Sequence, residues 1–373
     1  MFLIIHRFLR TKFLRFILLF TIVIYLFYLV FHDHKQQELQ ILTWSEFFPL
    51  PLLKEFEKKN NIKLIIDYFD SQEVLETKLN SGFSGYDLIT PTATPVLVRY
   101  IQQNLLLPIT KEKIKDYKNI FPIFWEKMKT IDPTNKYLVP FGYGTFGILY
   151  NQTRIKCLGL SVQPESYEYF FNPRLVKQFS QYGIGLLNDW QDVFGAALCY
   201  LGYLPQTQNR QALYQAYNTL HNIRPYIRRF SNNRYINDVL VDELLYTQAL
   251  SDEAARAIID AKENGIELVF VRPAEEKRMY IDCFAIPRTS QASELAHKFI
   301  DFCLEEENAI AITRHSKIPN TVSHRFQKQL DPAYFLNTPI DQLIVLPLRP
   351  KSVNSELLRY WQHFLQKLPL INY

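Results

Sequence analysis

Residues 39–69 read LQILTWSEFFPLPLLKEFEKKNNIKLIIDYF. Leu39–Thr43 is a short apolar run that predicts a strand. Leu52–Asn60 places apolar residues at helical spacing on an otherwise charged segment, which predicts an amphipathic helix. Lys63–Tyr68 predicts the next strand. The polar segment KQQELQ, residues 35–40, leads into this unit as a linker.

The alternation continues downstream. Gln72–Asn80 predicts a helix and Asp87–Thr90 a third strand ending at Pro91. Strands alternating with helices form parallel βαβ units, and ligands of such sheets sit beyond the carboxyl ends of the strands. Trp44–Phe48, Pro91–Thr94 and Pro140–Thr145 fall at such ends. After Asn151 a second set begins, with a strand at Gly183–Leu187 and helices at Asp189–Gly202 and Gln211–Asn222. Val239–Thr247 fits strand and helix alike. A helix at Glu253–Asn264 and strands at Glu267–Arg272 and Ile281–Pro287 follow. The last helices are Glu294–Glu305 and Ser355–Leu368. At 373 residues the chain suits two domains of moderate size.

Composition narrows the class of function. Only 11 glycines and 48% hydrophobic residues exclude a low-complexity or disordered chain. The net charge of +5 is uneven, because Arg7, Arg10, Lys12 and Arg15 all precede the first apolar run. The remainder is nearly neutral and has no basic patch interleaved with aromatics, so nucleic acid is not an expected partner. Cys157, Cys199, Cys283 and Cys303 show neither CxxC spacing nor a histidine cluster, so no metal site is expected. Buried free thiols are the default for such cysteines.

Residues 16–31, FILLFTIVIYLFYLVF, are uncharged and follow the four basic residues. That is the layout of a secretory signal. No small-x-small cleavage pattern and no cysteine follow, so an uncleaved signal anchor over residues 1–34 is expected. Its basic flank places the amino terminus in the cytoplasm and everything after about residue 35 outside, exported.

Five segments together resemble the periplasmic spermidine/putrescine-binding proteins. The 39–69 stretch keeps the family's aromatic turn as Trp44, Ser45, Glu46 and Phe47. GYDLITPTATPVLVRYIQQNLLLPI, residues 85–109, is similar to the family's strand that ends in Pro and Ser/Thr. KYLVPFGYGTFGILYN, residues 136–151, resembles the crossover into the second domain. LLNDWQDVFGAALCYLGY, residues 186–203, resembles a second-domain helix with an acidic pair. MYIDCFAIPRTSQASELAHKFIDFCLE, residues 279–305, resembles the return strand and its helix. The resemblance implies an α/β fold of the two-lobed periplasmic-binding-protein type, with crossover hinge strands that let the lobes close on a ligand. One lobe is then 39–146 with 282–325, and the other 147–281 with 326–373.

The implied ligand is a polyamine, a greasy chain carrying ammonium groups. A pocket for it needs a carboxylate for each buried ammonium and aromatic walls for the methylenes. By family register Asp282 meets an inner amine, Asp189 and Asp192 meet a terminal amine, and Thr92 supplies a hydroxyl. Trp44, Phe47, Tyr143 and Tyr280 are the implied aromatic walls. Each has a plainer reading: Asp189 and Asp192 fit a capped helix start, and the aromatics fit core packing. Thr94, Leu250 and Ser316 stand where family members carry larger aromatics, and Lys351 falls near an expected glutamine, which bears on the choice of ligand. The implied partners are the polyamine, an inner-membrane ABC permease and the membrane itself, with no cofactor. No GxSxG, HExxH or phosphate loop points to an enzyme. The alternatives are the same fold with another small cation or anion, or a tethered ligand sensor.

Overall fold

The computed structural model describes residues 36–45, 47–69, 72–80, 85–323, 340–347 and 349–366. The expected anchor at 1–34 and Glu46 lie outside the described residues. No described helix is long and apolar enough to cross a membrane.

Strand β1 (Gln37–Trp44) runs parallel to β2 (Ile62–Phe69) in register from Gln37 opposite Ile62 to Trp44 opposite Phe69. The helix Leu50–Asn60 connects them, with prolines in its first turn and Asn61 closing it in the left-handed region. β1 also pairs in parallel with β3 (Leu88–Ile89). The parallel reading of this segment therefore holds. The side chain of Asp87 ties the unit together. It accepts from the Gln40 amide at 3.1 Å and from the Gln291 and Ala292 amides at 2.8 and 2.9 Å. These last two lie at the entry of the helix Ser293–Leu304, whose free N–H groups favour an acid.

A single long strand carries the chain from one half of the molecule to the other. β5 (Leu138–Asn151) pairs antiparallel along its first half with β10 (Met279–Pro287). Along its second half it pairs with β8 (Tyr246–Leu250) and β9 (Leu268–Val271). Two short strands, β6 (Ile184–Leu186) and β7 (Arg229–Phe230), extend the second half in parallel. β4 (Leu106–Leu107) adds to β10. The full order is β2-β1-β3-β10-β5-β8-β6-β7, with β4 and β9 off this path.

The cores divide at the middle of β5. Residues from Leu39 to Tyr143 and from Met279 to Val345 form one apolar cluster. Ile148 to Tyr246 joins Val353–Phe364 in a second, and Phe146, Leu149, Tyr235 and Phe270 belong to a third on the same half. The expected division put all of 326–373 in the second lobe. Leu343 and Val345 instead pack in the first core, because Ile344 bridges to Arg278 at the start of β10 and draws its neighbours with it. Among the described residues of that stretch, the helix Lys351–Leu365 buries its apolar stripe in the second.

Val239–Thr247, which fitted both states, is split. Tyr235–Leu240 is helical, Asp242 turns the chain at φ 63°, and β8 begins at Tyr246. The helix Glu306–Ser316 follows Ser293–Leu304 directly and was not expected. All four cysteines are unpaired. Cys199, Cys283 and Cys303 are buried as the default has it, and Cys157 is exposed.

Candidate functional site

The junction of the two halves gathers the polar groups. Asp282, on β10, is 3% exposed and accepts a hydrogen bond of 2.6 Å from the Thr92 hydroxyl. Thr92 follows β3 and bridges to Asp282 in backbone terms as well. Among the described residues no lysine or arginine pairs with Asp282. Burial pushes its carboxyl up to about 7, the Thr92 hydrogen bond opposes that, and the charge of Asp252 adds to it.

Tyr280 lies two residues before Asp282 and is half-buried. Its hydroxyl donates to Asp252 and lies 3.5 Å from Ser251 Oγ. Gly144 stands opposite Tyr280 in the β5–β10 ladder, and a Cβ there would collide with the tyrosine hydroxyl. The glycine is what lets the Tyr280 ring cross the strand to reach Asp252. Phe146 packs edge-on against Tyr280 at 5.7 Å.

Asp189 is the N-cap of the helix Trp190–Tyr200. Its Oδ1 accepts from the amides of Gln191 and Asp192 at 2.7 and 3.1 Å, which is the plainer of its two readings realised in full. Asp192 is half-buried in the first turn, with its Oδ1 3.8 Å from Arg278. The backbone carbonyl of Asp192 accepts from Arg278 at 2.8 Å and from Gln248 at 3.3 Å. Asp192 is thus linked through Arg278 and Phe146 to Tyr280, two residues before Asp282 in the sequence.

The four remaining candidates are placed differently. Trp44 is half-buried at the end of β1 and packs on Phe69 at 4.3 Å. Its Nε1 and the Thr94 hydroxyl are buried and bonded to nothing among the described residues. Phe47 is core: it packs on Phe48 and Phe141 at 5.3 and 4.8 Å. Tyr143 is also core, against Phe124 at 4.7 Å. The structure thus joins Thr92 to Asp282 directly, and links Tyr280 to Asp252 and, through Phe146 and Arg278, to Asp192. It gives Phe47, in the loop after β1, and Tyr143, on β5, to the first core, where both pack on its aromatic rings.

Asp252 and Arg278 were missed. Asp252 is buried at the start of the helix Ser251–Glu263, which leaves β8 at its carboxyl end. Beside it Glu253 is pushed up to about 7 by burial and by the Asp252 charge. A firm strand at 246–250 would have marked both as strand-end acids. Arg278 sits in the charged run EEKR, which has the look of a solvated surface. Of the positions that depart from the family, Leu250 ends β8 opposite Phe146, and Ser316 spends its hydroxyl on the Ile312 carbonyl. Lys351 opens the last helix and lines, with Arg99 and Arg349, a cavity of about 250 Å³.

The description bacterial extracellular solute-binding protein fits residues 52–323 of the chain. A putrescine-binding periplasmic protein of Pseudomonas aeruginosa, SpuD, is 30% identical over 285 residues, covering 76% of this chain and 77% of that one. PotF of Escherichia coli, also a putrescine-binding periplasmic protein, is 31% identical, covering 75% and 77%. Among solved structures, the spermidine/putrescine substrate-binding protein PotD of Streptococcus pneumoniae superposes with a TM-score of 0.76 at 23% identity, covering 89% of this chain and 99% of that one. The TpPotD lipoprotein of Treponema pallidum gives 0.77 at 23%, covering 88% and 99%. These two carry the fold, a mixed α/β architecture of two domains of the periplasmic-binding-protein type. With the family's description met over most of its length, the chain belongs to the bacterial extracellular solute-binding proteins.

Proposed function

We propose that this chain captures a polyamine, a putrescine-type diamine foremost, between its two lobes and hands it to an inner-membrane ABC permease. The observation that carries this reading is Asp282. It is a carboxylate shut away from water with a hydroxyl for company and no cation among the described residues. A buried acid in that position lacks what an ammonium supplies. Tyr280, two residues before it, offers a ring, and Asp252, which accepts from the Tyr280 hydroxyl, offers a second acid. The relatives' binding of putrescine supports the same ligand class.

In this reading Asp282 and Thr92 hold one ammonium, Asp252 with Tyr280 lies alongside, and Trp44 covers methylenes. Asp192 is at the far end, with Asp189 fixing the helix that carries it. Residues 1–34 act as an uncleaved tether that keeps the lobes at the outer face of the inner membrane. Intact mass of the purified chain tests the tether: loss of the first ~30 residues removes it.

The main test is calorimetric titration of the full-length chain with putrescine, cadaverine, spermidine and the amino acids glycine and glutamate. Saturable binding of a diamine, with the ligand recovered unchanged, is the expected result. Absence of binding to every amine, or turnover of one, overturns the reading.

A further inference from the structure

Arg278 is fully buried beside the proposed slot, and every part of its guanidinium is engaged. Its Nε and one terminal nitrogen donate to Glu276 at 2.8 and 2.5 Å. The other terminal nitrogen donates to the Asp192 carbonyl at 2.8 Å and lies 3.8 Å from the Asp192 carboxylate. The guanidinium carbon stands 4.3 Å from the centre of the Phe146 ring. Glu276 also accepts from the Tyr167 hydroxyl. Room has been left for this group. Gly195 lies inside the helix Trp190–Tyr200, and a Cβ there would strike the guanidinium. A glycine inside a helix is unfavourable against alanine, so the space is kept at the expense of the helix.

An ammonium in a buried slot needs an acid to pair with and a ring face to lie on. At the Asp192 end both are already taken by a charge that belongs to the chain. Phe146 already has the Arg278 guanidinium over its ring and the Tyr280 ring packed edge-on against it. Arginine does not shed its proton, and its fork is held on two sides. A further ligand ammonium at this end would face a fixed positive charge.

We infer that Arg278 is a resident cation occupying the Asp192 end of the slot, a positioning residue that makes the chain select short diamines over triamines. This rests on the polyamine reading above. A diamine fits Asp282 and Asp252, whose Oδ2 lies 3.9 Å from the partly exposed Arg256, and stops short of the fully buried Arg278 guanidinium. A triamine carries its third charge toward it.

The test compares dissociation constants for putrescine and spermidine on the full-length chain at matched ionic strength. The native chain is expected to bind putrescine at least tenfold more tightly than spermidine; equal affinities overturn the inference without any variant. The double variant Glu276→Gln with Arg278→Met removes both charges and leaves no lone buried ion. Gln248 still holds the Asp192 carbonyl in it. The ratio of the two constants is expected to move toward spermidine by fivefold or more. A smaller shift, or one toward putrescine, overturns the inference, since a merely structural role weakens both ligands together. Arg278→Lys, which keeps the charge, is expected to hold the native ratio within twofold. If the native chain binds neither amine, the polyamine reading falls and takes this inference with it, a result distinct from an unmoved ratio.

Discussion

Glu276 and Asp282 lie close together on one segment, both are buried, and their surroundings are opposite. Glu276 meets a guanidinium on two of its oxygens' bonds and a tyrosine hydroxyl besides. Arg278 is held protonated there: burial works against its charge, but the charge and hydrogen bonds of Glu276 more than offset that. Asp282 meets one threonine hydroxyl and the repulsion of a second acid. The first is a pair complete within the chain. The second, in the proposed reading, is half of a pair whose other half is the ligand's ammonium. A buried acid with its cation beside it is architecture; a buried acid lacking one, at the junction of two lobes, marks a place for a cationic ligand.

The largest effect expected from this contrast is on stability, at the complete pair. Glu276→Gln leaves the Arg278 charge buried without its main partner and should destabilise the protein by about 3–5 kcal/mol, read as a lower urea midpoint. If the midpoint stays put, Glu276 is not what holds the guanidinium. Next comes Asp282→Asn. It should leave the empty protein at least as stable as before, yet lower putrescine affinity by about 2–4 kcal/mol, roughly 30- to 1000-fold. Unaltered affinity would remove Asp282 from the site.

The third prediction concerns pH. The ordinary value for Asp282 is 3.8, and the folded chain raises it to about 7. Between those values the folded protein keeps a proton that the unfolded chain has lost. Stability of the empty protein therefore falls as pH rises from about 4 to about 7, by up to ~1.4 kcal/mol per unit, and levels off above. Glu253 adds to the same window, since it too is raised to about 7. The difference in melting temperature between the native chain and Asp282→Asn across that window isolates Asp282. Putrescine affinity should rise through pH 7, because the ammonium needs the ionised carboxylate. A melting profile with the same slope in both proteins would contradict the raised Asp282 value. The smallest effect is at the helix cap. Asp189→Ala should cost about 1 kcal/mol of stability through the two lost amide bonds. A loss of ligand affinity with no loss of stability would instead make Asp189 a ligand group.

Much of the scaffold was legible in the residues. The apolar run at 39–43, the helical spacing at 52–60 and the second strand gave a parallel unit because side-chain periodicity follows local backbone geometry. Asp189 was legible as a cap for the same local reason. Within the site, Asp282, Thr92 and Tyr280 came from family register; the structure bonds Thr92 to Asp282 and turns the Tyr280 hydroxyl to Asp252 instead. Phe47 and Tyr143 came from the same register and went into the core. Which face of a strand an aromatic shows to a neighbour depends on what packs there, and a single sequence does not carry that.

The order of charged residues in EEKRMYID fixed which side chains were available and, from Met279 on, which stood on one face of a strand. It could not separate the arginine that is sealed inside from the lysine beside it that is not. That choice was made where the segment crosses the helix Trp190–Tyr200, with Gly195 leaving a hole and Asp192 offering a carbonyl. Sequence sets charge and local conformation because both act over a few residues. Tertiary packing decides which charges lose water and which partner each then finds, because desolvation depends on everything that closes around the group.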